Sequence, residues 1–507
     1  MKKILNNNDK IKPLKYKESN LKRKMIIVTI VFSVLIISGM FLYKTFAAFN
    51  EQKQFNVING EVQDSRDSYF AYYVDNKITR DIPTQYSGYT LDTTKSTCTN
   101  GVAVGWDRIN WTALVNYQKY NATNNTRTKC DLYFKLKPTF AGYITTLATT
   151  DITNLAVDDY GNTRYIGKDP NNYVRIEGDE YQNDVYFGYS STTSTSYKEY
   201  SSLDECKKAT SYKYNCKVGI AKGTPILWRI IGVMKDVDDG TGNKKDRVKI
   251  IRSISIGDYS WDTSESSING GLGVNEWSQA DLMKLLNPGY ESETVGGSLY
   301  WNNKSGTCYN GSENSTTSCD FTSTGIKVKL KNMIGNAVWN TGSNGTNDYT
   351  SSSNGLTKHF YTYERSTNTG KICTSGDYCT DTVSRTTTWT GKIGLMYPSD
   401  YGYATSGGSG ADRATCLNKE LSNWSDSSVS DCKNNDWLFD NSSYHQCTLA
   451  PHAHPSQAHR TFSVLFNSSI SSAAACNGFS VRPVVYLLPS VGVQSGDGSS
   501  GNPFILS

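Results

Sequence analysis

Proline and histidine are scarce in this 507-residue chain, numbering 12 and 5, and no cysteine precedes Cys98. So little proline excludes a collagen-like or proline-rich extended chain. Charged residues make up only 20% and apolar residues 37%, both below the average for a soluble domain and too low for a bundle of long amphipathic helices. Basic charge is missing too. Taking the +7 of residues 1–24 and the single charge of Lys44 from the overall +5 leaves −3 for residues 45–507. No positive face remains to follow a phosphate backbone, so nucleic acid is excluded as a partner. There is no Cys-x-x-Cys, no Gly-x-Ser-x-Gly and no His-Glu-x-x-His. Those absences remove the usual zinc-ribbon, nucleophile-elbow and zincin readings. What fills the chain is Ser, Thr, Asn, 42 Gly and 34 Tyr, with 12% aromatics. Such a mixture suits short strands and turns around a real core, and it is too aromatic for a disordered chain.

One long apolar run stands out. Met25 to Tyr43 contains nineteen residues without a charge. As a helix it spans roughly 28 Å, close to the hydrocarbon thickness of a bilayer. Lys22, Arg23 and Lys24 precede it and only Lys44 follows. The positive-inside rule therefore places the basic segment 1–24 in the cytoplasm, a transmembrane helix at 25–44 and residues 45–507 outside the cell. The alternative is a secreted chain, cleaved near Ala47.

Cysteine usage agrees with export. The twelve cysteines are Cys98, Cys130, Cys206, Cys216, Cys308, Cys319, Cys373, Cys379, Cys416, Cys432, Cys447 and Cys476. An even number confined to the exported part implies disulfides throughout, and the order suggests neighbouring couples, although sequence does not determine connectivity.

Residues 45–137 carry strand-like runs at Tyr69 to Val74, Gly101 to Trp106, Trp111 to Tyr117 and Cys130 to Leu136. Their alternation predicts a small β-sandwich. Residues 138–162 read as a connector. From 163 to 507 strands, two helices (Trp277 to Leu286 and Ile326 to Trp339) and long loops predict an α+β domain. Asp236 to Asn243 reads as a hairpin turn between apolar strands, because Thr241 stands where a calcium loop needs glycine.

A series of motifs then becomes informative: Trp228-Arg-Ile-Ile-Gly, Asn275-Glu-Trp-Ser-Gln-Ala-Asp-Leu, Gly394-Leu-Met-Tyr-Pro-Ser-Asp-Tyr-Gly-Tyr-Ala, Asn435-Asp-Trp-Leu and Val481-Arg-Pro-Val-Val-Tyr-Leu. The series resembles exported surface proteins of low-GC Gram-positive gut bacteria that have no characterised function. The closing Trp-Leu and Val-Arg-Pro strands are similar to the C-type-lectin-like fold of formylglycine-generating-type modules. The opening, Ala47-Ala-Phe followed by Phe55-Asn-Val-Ile-Asn-Gly-Glu-Val, resembles camelysin-like exported proteins. The resemblance implies a mainly β, α+β architecture: one transmembrane helix, a β-sandwich and a disulfide-stapled C-type-lectin-like domain. It carries no site residues with it.

Two clusters have chemical potential. His445, His452, His454 and His459 fall in fifteen residues, and His452 with His454 could reach one metal ion from an extended segment. With no carboxylate inside the stretch, the expectation is a polar surface loop. Glu177, Asp179 and Glu180 read as a solvated turn. Gly496 to Gly501 matches a dinucleotide fingerprint as text but opens no helix. No catalytic, cofactor-binding or metal residue is assigned, and no cofactor is expected. The functional expectation is a membrane-anchored extracellular binding or adhesion protein with a glycan or protein ligand. A filament subunit or an exported enzyme on a lectin-like scaffold are the alternatives.

Overall fold

The computed structural model describes residues 139–194, 197–200, 202–343, 349–367, 378–439, 445–453 and 456–506, together with five strands between Phe70 and Leu136. The expected membrane segment 25–44 and His454 lie outside the described residues. Among the described residues no helix is long and apolar enough to cross a membrane. The chain divides into two compact units, Met1–Lys137 and Pro138–Ser507.

In the first unit the described strands make one mixed sheet. Phe70–Val74 lies between Lys77–Thr79, antiparallel, and Cys130–Leu136, parallel. Tyr89–Leu91 and Thr97–Cys98 pair with the other edge of Cys130–Leu136, in a register that sets Cys98 opposite Cys130. The other strand-like runs of the expected sandwich fall outside the described residues.

The second unit is mainly β, with short helices. Its centre is the hairpin Pro225–Asp238 and Lys244–Arg252, joined where Asp238 Oδ1 accepts from Gly240 N and Gly242 N at 2.8 and 3.0 Å. This is the hairpin turn that the sequence predicts. Both strands are buried along most of their length. The apolar text of Pro225–Asp238 follows from being covered on both faces, whereas Lys244–Arg252 buries Arg247, Lys249 and Arg252 beside its apolar residues. Val484–Tyr486 and Ile393–Gly394 extend the sheet on one side. On the other side come Tyr173–Glu180, Phe504–Leu506 and Val493–Ser495. A second, five-stranded sheet runs in the order Asp258–Ser260, Gly478–Ser480, Gln446–Pro451, Arg460–Val464, Ile470–Ala474. Trp228, Trp261, Trp277, Trp339 and Trp424 are fully buried. The Trp261 indole donates to Thr448 O and that of Trp339 to Gly391 O, each at 3.1 Å.

Several expectations change. Residues 138–162 are no connector, because Phe140–Leu147 is a helix capped by Thr139 and buries Phe140, Ala141 and Ile144. Phe140 meets Phe504 edge-on at 5.5 Å. Threonines 145 and 146 satisfy their hydroxyls within this helix by donating to carbonyls four residues back, at 2.9 Å. Leu155–Val157 then pairs with Thr163–Tyr165 on the main sheet.

The helix expected from Trp277 to Leu286 is broken at Ala280, whose backbone is extended, into a single 3-10 turn and the helix Asp281–Leu286. Asp262 Oδ1 accepts from the Asp281 amide at 3.2 Å at the break, so the helix start is held by a residue distant in sequence. The stretch expected as a helix from Ile326 to Trp339 becomes a short helix, Val328–Met333, followed by the strand Ala337–Asn340. Trp437-Leu, expected in a strand, lies in a turn after the helix Ser430–Asn434. There the Trp437 indole donates to Tyr165 O at 2.9 Å.

Disulfides join Cys206 to Cys216, Cys308 to Cys319 and Cys416 to Cys432. Cys379 is also disulfide-bonded, while Cys373 lies outside the described residues. The expected Cys447–Cys476 couple is corrected: both are buried thiols. Cys447 sits in the strand Gln446–Pro451, whereas Cys476 lies in the turn that carries the chain from the edge strand Ile470–Ala474 back to Gly478–Ser480. Proximity in sequence order does not bring them together.

Candidate functional site

Three small pieces of the second unit enclose a cleft of about 640 Å³, within the usual range for small-molecule sites. One wall is the three-stranded sheet of Tyr197–Tyr200, Val185–Tyr189 and Tyr214–Ile220, with the helix Leu203–Lys208 laid against it. Ser202 caps that helix, accepting from Glu205 N at 3.2 Å, and the Cys206–Cys216 disulfide pins it to the sheet. Gly188 makes the close approach possible, since a Cβ there would stand 2.0 Å from Tyr212 O and 2.4 Å from Cys206 Sγ. The facing wall is the hairpin Ser305–Tyr309 and Thr316–Asp320, held by the Cys308–Cys319 disulfide. The floor runs from Ile256 to Tyr259. Gly257 sits at φ +127°, and a Cβ on it would press on the Tyr259 ring at 2.8 to 2.9 Å, so no L side chain fits this position.

The lining is acidic: Asp184, Glu199, Glu205, Asp258 and Asp320 contribute to it, and none of the described lining residues is basic. Asp184 Oδ1 accepts from Lys222 N at 2.7 Å. Asp320 Oδ1 accepts from both the amide and the hydroxyl of Thr322, at 2.9 and 2.7 Å. Burial raises the Tyr259 phenol, and Asp258, Glu199, Glu205 and Asp320 raise it further. Four carboxylates are thus close enough for their fields to converge on one ring. Tyr200 is raised by burial and by Glu205, and its hydroxyl donates to Ser211 O at 3.0 Å. The hydroxyls of Ser323 and Thr324, both on the cleft wall, have no hydrogen-bond partner among the described residues.

A separate charged cluster lies deep in the core. Asp400, on the buried helix Pro398–Tyr403, accepts from Arg164 at 2.6 Å, from Lys249 and from the Tyr397 amide at 2.9 Å. Arg164 also donates to Asp158 at 2.9 Å. Burial works against the Asp400 carboxylate, yet Lys249 and Arg164 hold its pKa down to about 2. Burial lowers Lys249 to about 8 against the pull of Asp400. Its ammonium stands 4.2 Å from the Tyr397 ring centre. Beside it, burial raises Glu364 to about 7, although Arg365 and Ser399 favour its charged form. These contacts tie the strands of Arg164 and Lys249 to the helix that carries Asp400, while Arg164 Nη2 has no hydrogen-bond partner among the described residues.

The histidine stretch is not a surface loop. His452 and His459 are buried, because the wholly buried strand Gln446–Pro451 continues directly into His452. His452 packs edge-on to Tyr349 at 5.3 Å and against Phe462 at 4.9 Å. His445 stacks on Phe466, and burial lowers its pKa. Among the described residues no group of three His, Cys, Asp or Glu is placed to hold a metal ion. Glu177, Asp179 and Glu180 lie on the strand Tyr173–Glu180 rather than a turn. Asp179 is buried, which raises it to about 6, while Glu177 faces Lys329 at the surface, 3.7 Å away. Gly496 to Gly501 connects the strands Val493–Ser495 and Phe504–Leu506.

Sequence reasoning missed the cleft. Its carboxylates are scattered from Asp184 to Asp320 with no shared spacing, and the one local signal was the pair of short cysteine couples at 206/216 and 308/319. Comparison with known proteins finds no matching family model, no matching curated protein and no matching solved structure.

Proposed function

We propose that the chain is a membrane-anchored extracellular binding protein that takes its ligand in the acidic cleft. In this reading residues 25–44 cross the membrane, the basic N-terminus stays in the cytoplasm and residues 45–507 face outward, with the C-type-lectin-like resemblance describing the ligand-bearing unit. The apolar run with nine basic residues before it and Lys44 alone after it supports the orientation. Three disulfides among the described residues support an oxidising compartment. The observation that carries the reading is the cleft itself, walled on both sides by disulfide-stapled elements and lined by five carboxylates. A rigid concave site costs little conformational entropy on binding.

The full chain in detergent, applied to glycan and protein arrays, should capture a definite ligand. Thr307→Trp fills the cleft from an exposed hairpin position and should abolish that capture without changing the circular dichroism spectrum. Capture that Thr307→Trp leaves intact would remove the cleft from the proposal. On intact cells, added protease should digest residues 45–507 and spare the N-terminal segment; protection of the large unit would reverse the topology.

A further inference from the structure

We infer that the side chains of Lys249 and Asp400 join covalently, as an amide bond between Nζ and Cγ formed with loss of one water. The inference goes beyond the binding reading and stands apart from it. The ion pair between the two residues is the reactant. Lys249 Nζ lies 2.5 Å from Asp400 Oδ2, and the two side chains are 1% and 2% exposed. Every other lysine ion pair among the described residues has its lysine at 28% exposure or more, where water screens the charges and hydrates the amine. Around Nζ stand the rings of Tyr397, Tyr486 and Trp339, with centres at 4.2, 5.5 and 5.7 Å. A nucleophile and a carboxyl group held together in a dry site react as one molecule, without the entropy cost of meeting.

The charges around the pair favour the product. Arg164 has a carboxylate of its own, since its Nε donates to Asp158 at 2.9 Å in an equally buried contact. Condensation consumes one ammonium and one carboxylate and leaves the Arg164–Asp158 pair intact. A neutral amide needs far less solvation than the two ions it replaces. Arg164 Nη1 donates to Asp400 Oδ1 at 2.6 Å, so it polarises the carboxyl group and remains a donor to the amide oxygen afterwards. The Tyr397 amide donates to Oδ2, the departing oxygen, at 2.9 Å. Glu364 fixes the preceding residue by accepting from Ser399 N and Oγ at 3.0 and 2.6 Å.

The ammonium passes one proton to Oδ2 along the existing hydrogen bond, giving an amine and a carboxylic acid. The nitrogen lone pair then attacks Cγ, a second proton moves from nitrogen to Oδ2, and the Cγ–Oδ2 bond breaks to release water. One hydrogen stays on the amide nitrogen, and nothing is oxidised or reduced. Burial holds Lys249 down to about 8, which brings the amine within reach near neutral pH. Burial favours the acid form of Asp400 too, but Lys249 and Arg164 outweigh it and hold the carboxyl group to about 2. Closure is therefore slow, and until it occurs Asp400 remains the anion of the cluster. The bond joins the strand Lys244–Arg252 to the helix Pro398–Tyr403 across a sequence separation of 151. The hairpin Ser305–Tyr309 and Thr316–Asp320 lies inside the loop it closes.

Peptide mapping tests this. The full chain, purified in detergent, is kept folded for several days at about pH 8, where the Lys249 amine is half formed. It is then reduced, denatured, digested with trypsin and read by mass spectrometry. The expected product is a branched peptide carrying Lys249 and Asp400, one water lighter than its two arms together and uncut after Lys249. Lys249→Arg keeps the cation but lacks the amine. It should give only separate arms, and after reduction it should migrate differently in a denaturing gel from the looped parent chain. A parent chain that yields only separate arms after the incubation would overturn the inference, as would Lys249 joined to any residue other than Asp400. If Lys249→Arg does not fold, the map of the parent chain decides alone.

Discussion

Asp400 shows how one side chain can organise a core. Two buried cations, Arg164 and Lys249, depend on its carboxylate. Removing one partner of a buried pair leaves the other charge without compensation and typically costs about 3–5 kcal/mol. Asp400→Asn should therefore lower unfolding stability by that order in a denaturant titration, and a loss under about 1 kcal/mol would show that the cluster relaxes freely. Gly257 is a second point of control, through its backbone. At φ +127° with the Tyr259 ring against its Cα, Gly257→Ala should cost more than about 1 kcal/mol. The same substitution at Gly223, where a Cβ would meet nothing, carries only the cost of a positive φ and should be milder. Equal losses at the two sites would mean that the Tyr259 contact is unimportant.

At the scale of elements, disulfides and thiols divide the second unit. The hairpin Ser305–Tyr309 and Thr316–Asp320 projects along the cleft with the Cys308–Cys319 disulfide across it, closing a sequence separation of 11. Loops of this size gain roughly 2–3 kcal/mol from cross-linking. Replacing both cysteines with serine should cost about that much and accelerate amide exchange in the hairpin before the central sheet. Uniform exchange across the unit would sink the idea of a locally stapled wall. Cys447 and Cys476 behave oppositely. Burial raises both thiols. A thiol that is neither exposed nor ionised does not react. An alkylating reagent should leave both unmodified in the folded chain and label both after unfolding without reductant, as peptide mapping would read. Failure to label the unfolded chain would restore a bond between them.

For the whole molecule, burial of carboxyl groups sets the response to pH. Burial raises Glu364 from 4.5 to about 7, and Asp179 and Asp281 from 3.8 to about 6. Asp262 and Asp436 are raised as well, also by burial first. A group whose folded pKa is raised contributes stability that is complete below its unfolded pKa and lost as pH rises through the folded value. Glu364, Asp179 and Asp281 therefore withdraw stability between about pH 4 and pH 7, and Asp262 and Asp436 act in the same direction. His359 and His445, lowered by burial, act in the opposite direction below about 6.5. Asp400, held at about 2, contributes above 3.8 and loses its contribution only in stronger acid. The melting temperature should thus be higher near pH 5 than near pH 7.5, and Glu364→Gln should flatten the upper part of that slope. A melting temperature rising steadily from pH 5 to 7.5 would contradict the balance.

Local text carries local structure, and here it was enough to read a mainly β second unit. The apolar strands around Trp228 and Val248, the Asp-Gly turn between them and three of the cysteine couples are all short-range features. Their partners lie within a few residues, so spacing and propensity suffice. Asn287-Pro288-Gly289 likewise ends the helix Asp281–Leu286 where the text says it must. Whatever depends on a distant partner was decided by tertiary structure. Residues 138–162 read as a connector because threonines are poor helix formers, yet burial of Phe140 and Ile144 stabilises the helix Phe140–Leu147 within them. The break at Ala280 needs Asp262, and the burial of His452 needs Tyr349 and Phe462. Cys447 and Cys476, neighbours in the cysteine order, are both buried thiols in the fold. The cleft is the extreme case. Its five carboxylates span more than a hundred residues and meet only because two stapled walls close over Gly257. Periodicity reports which way a side chain faces within its own element, and it is silent on which elements face each other.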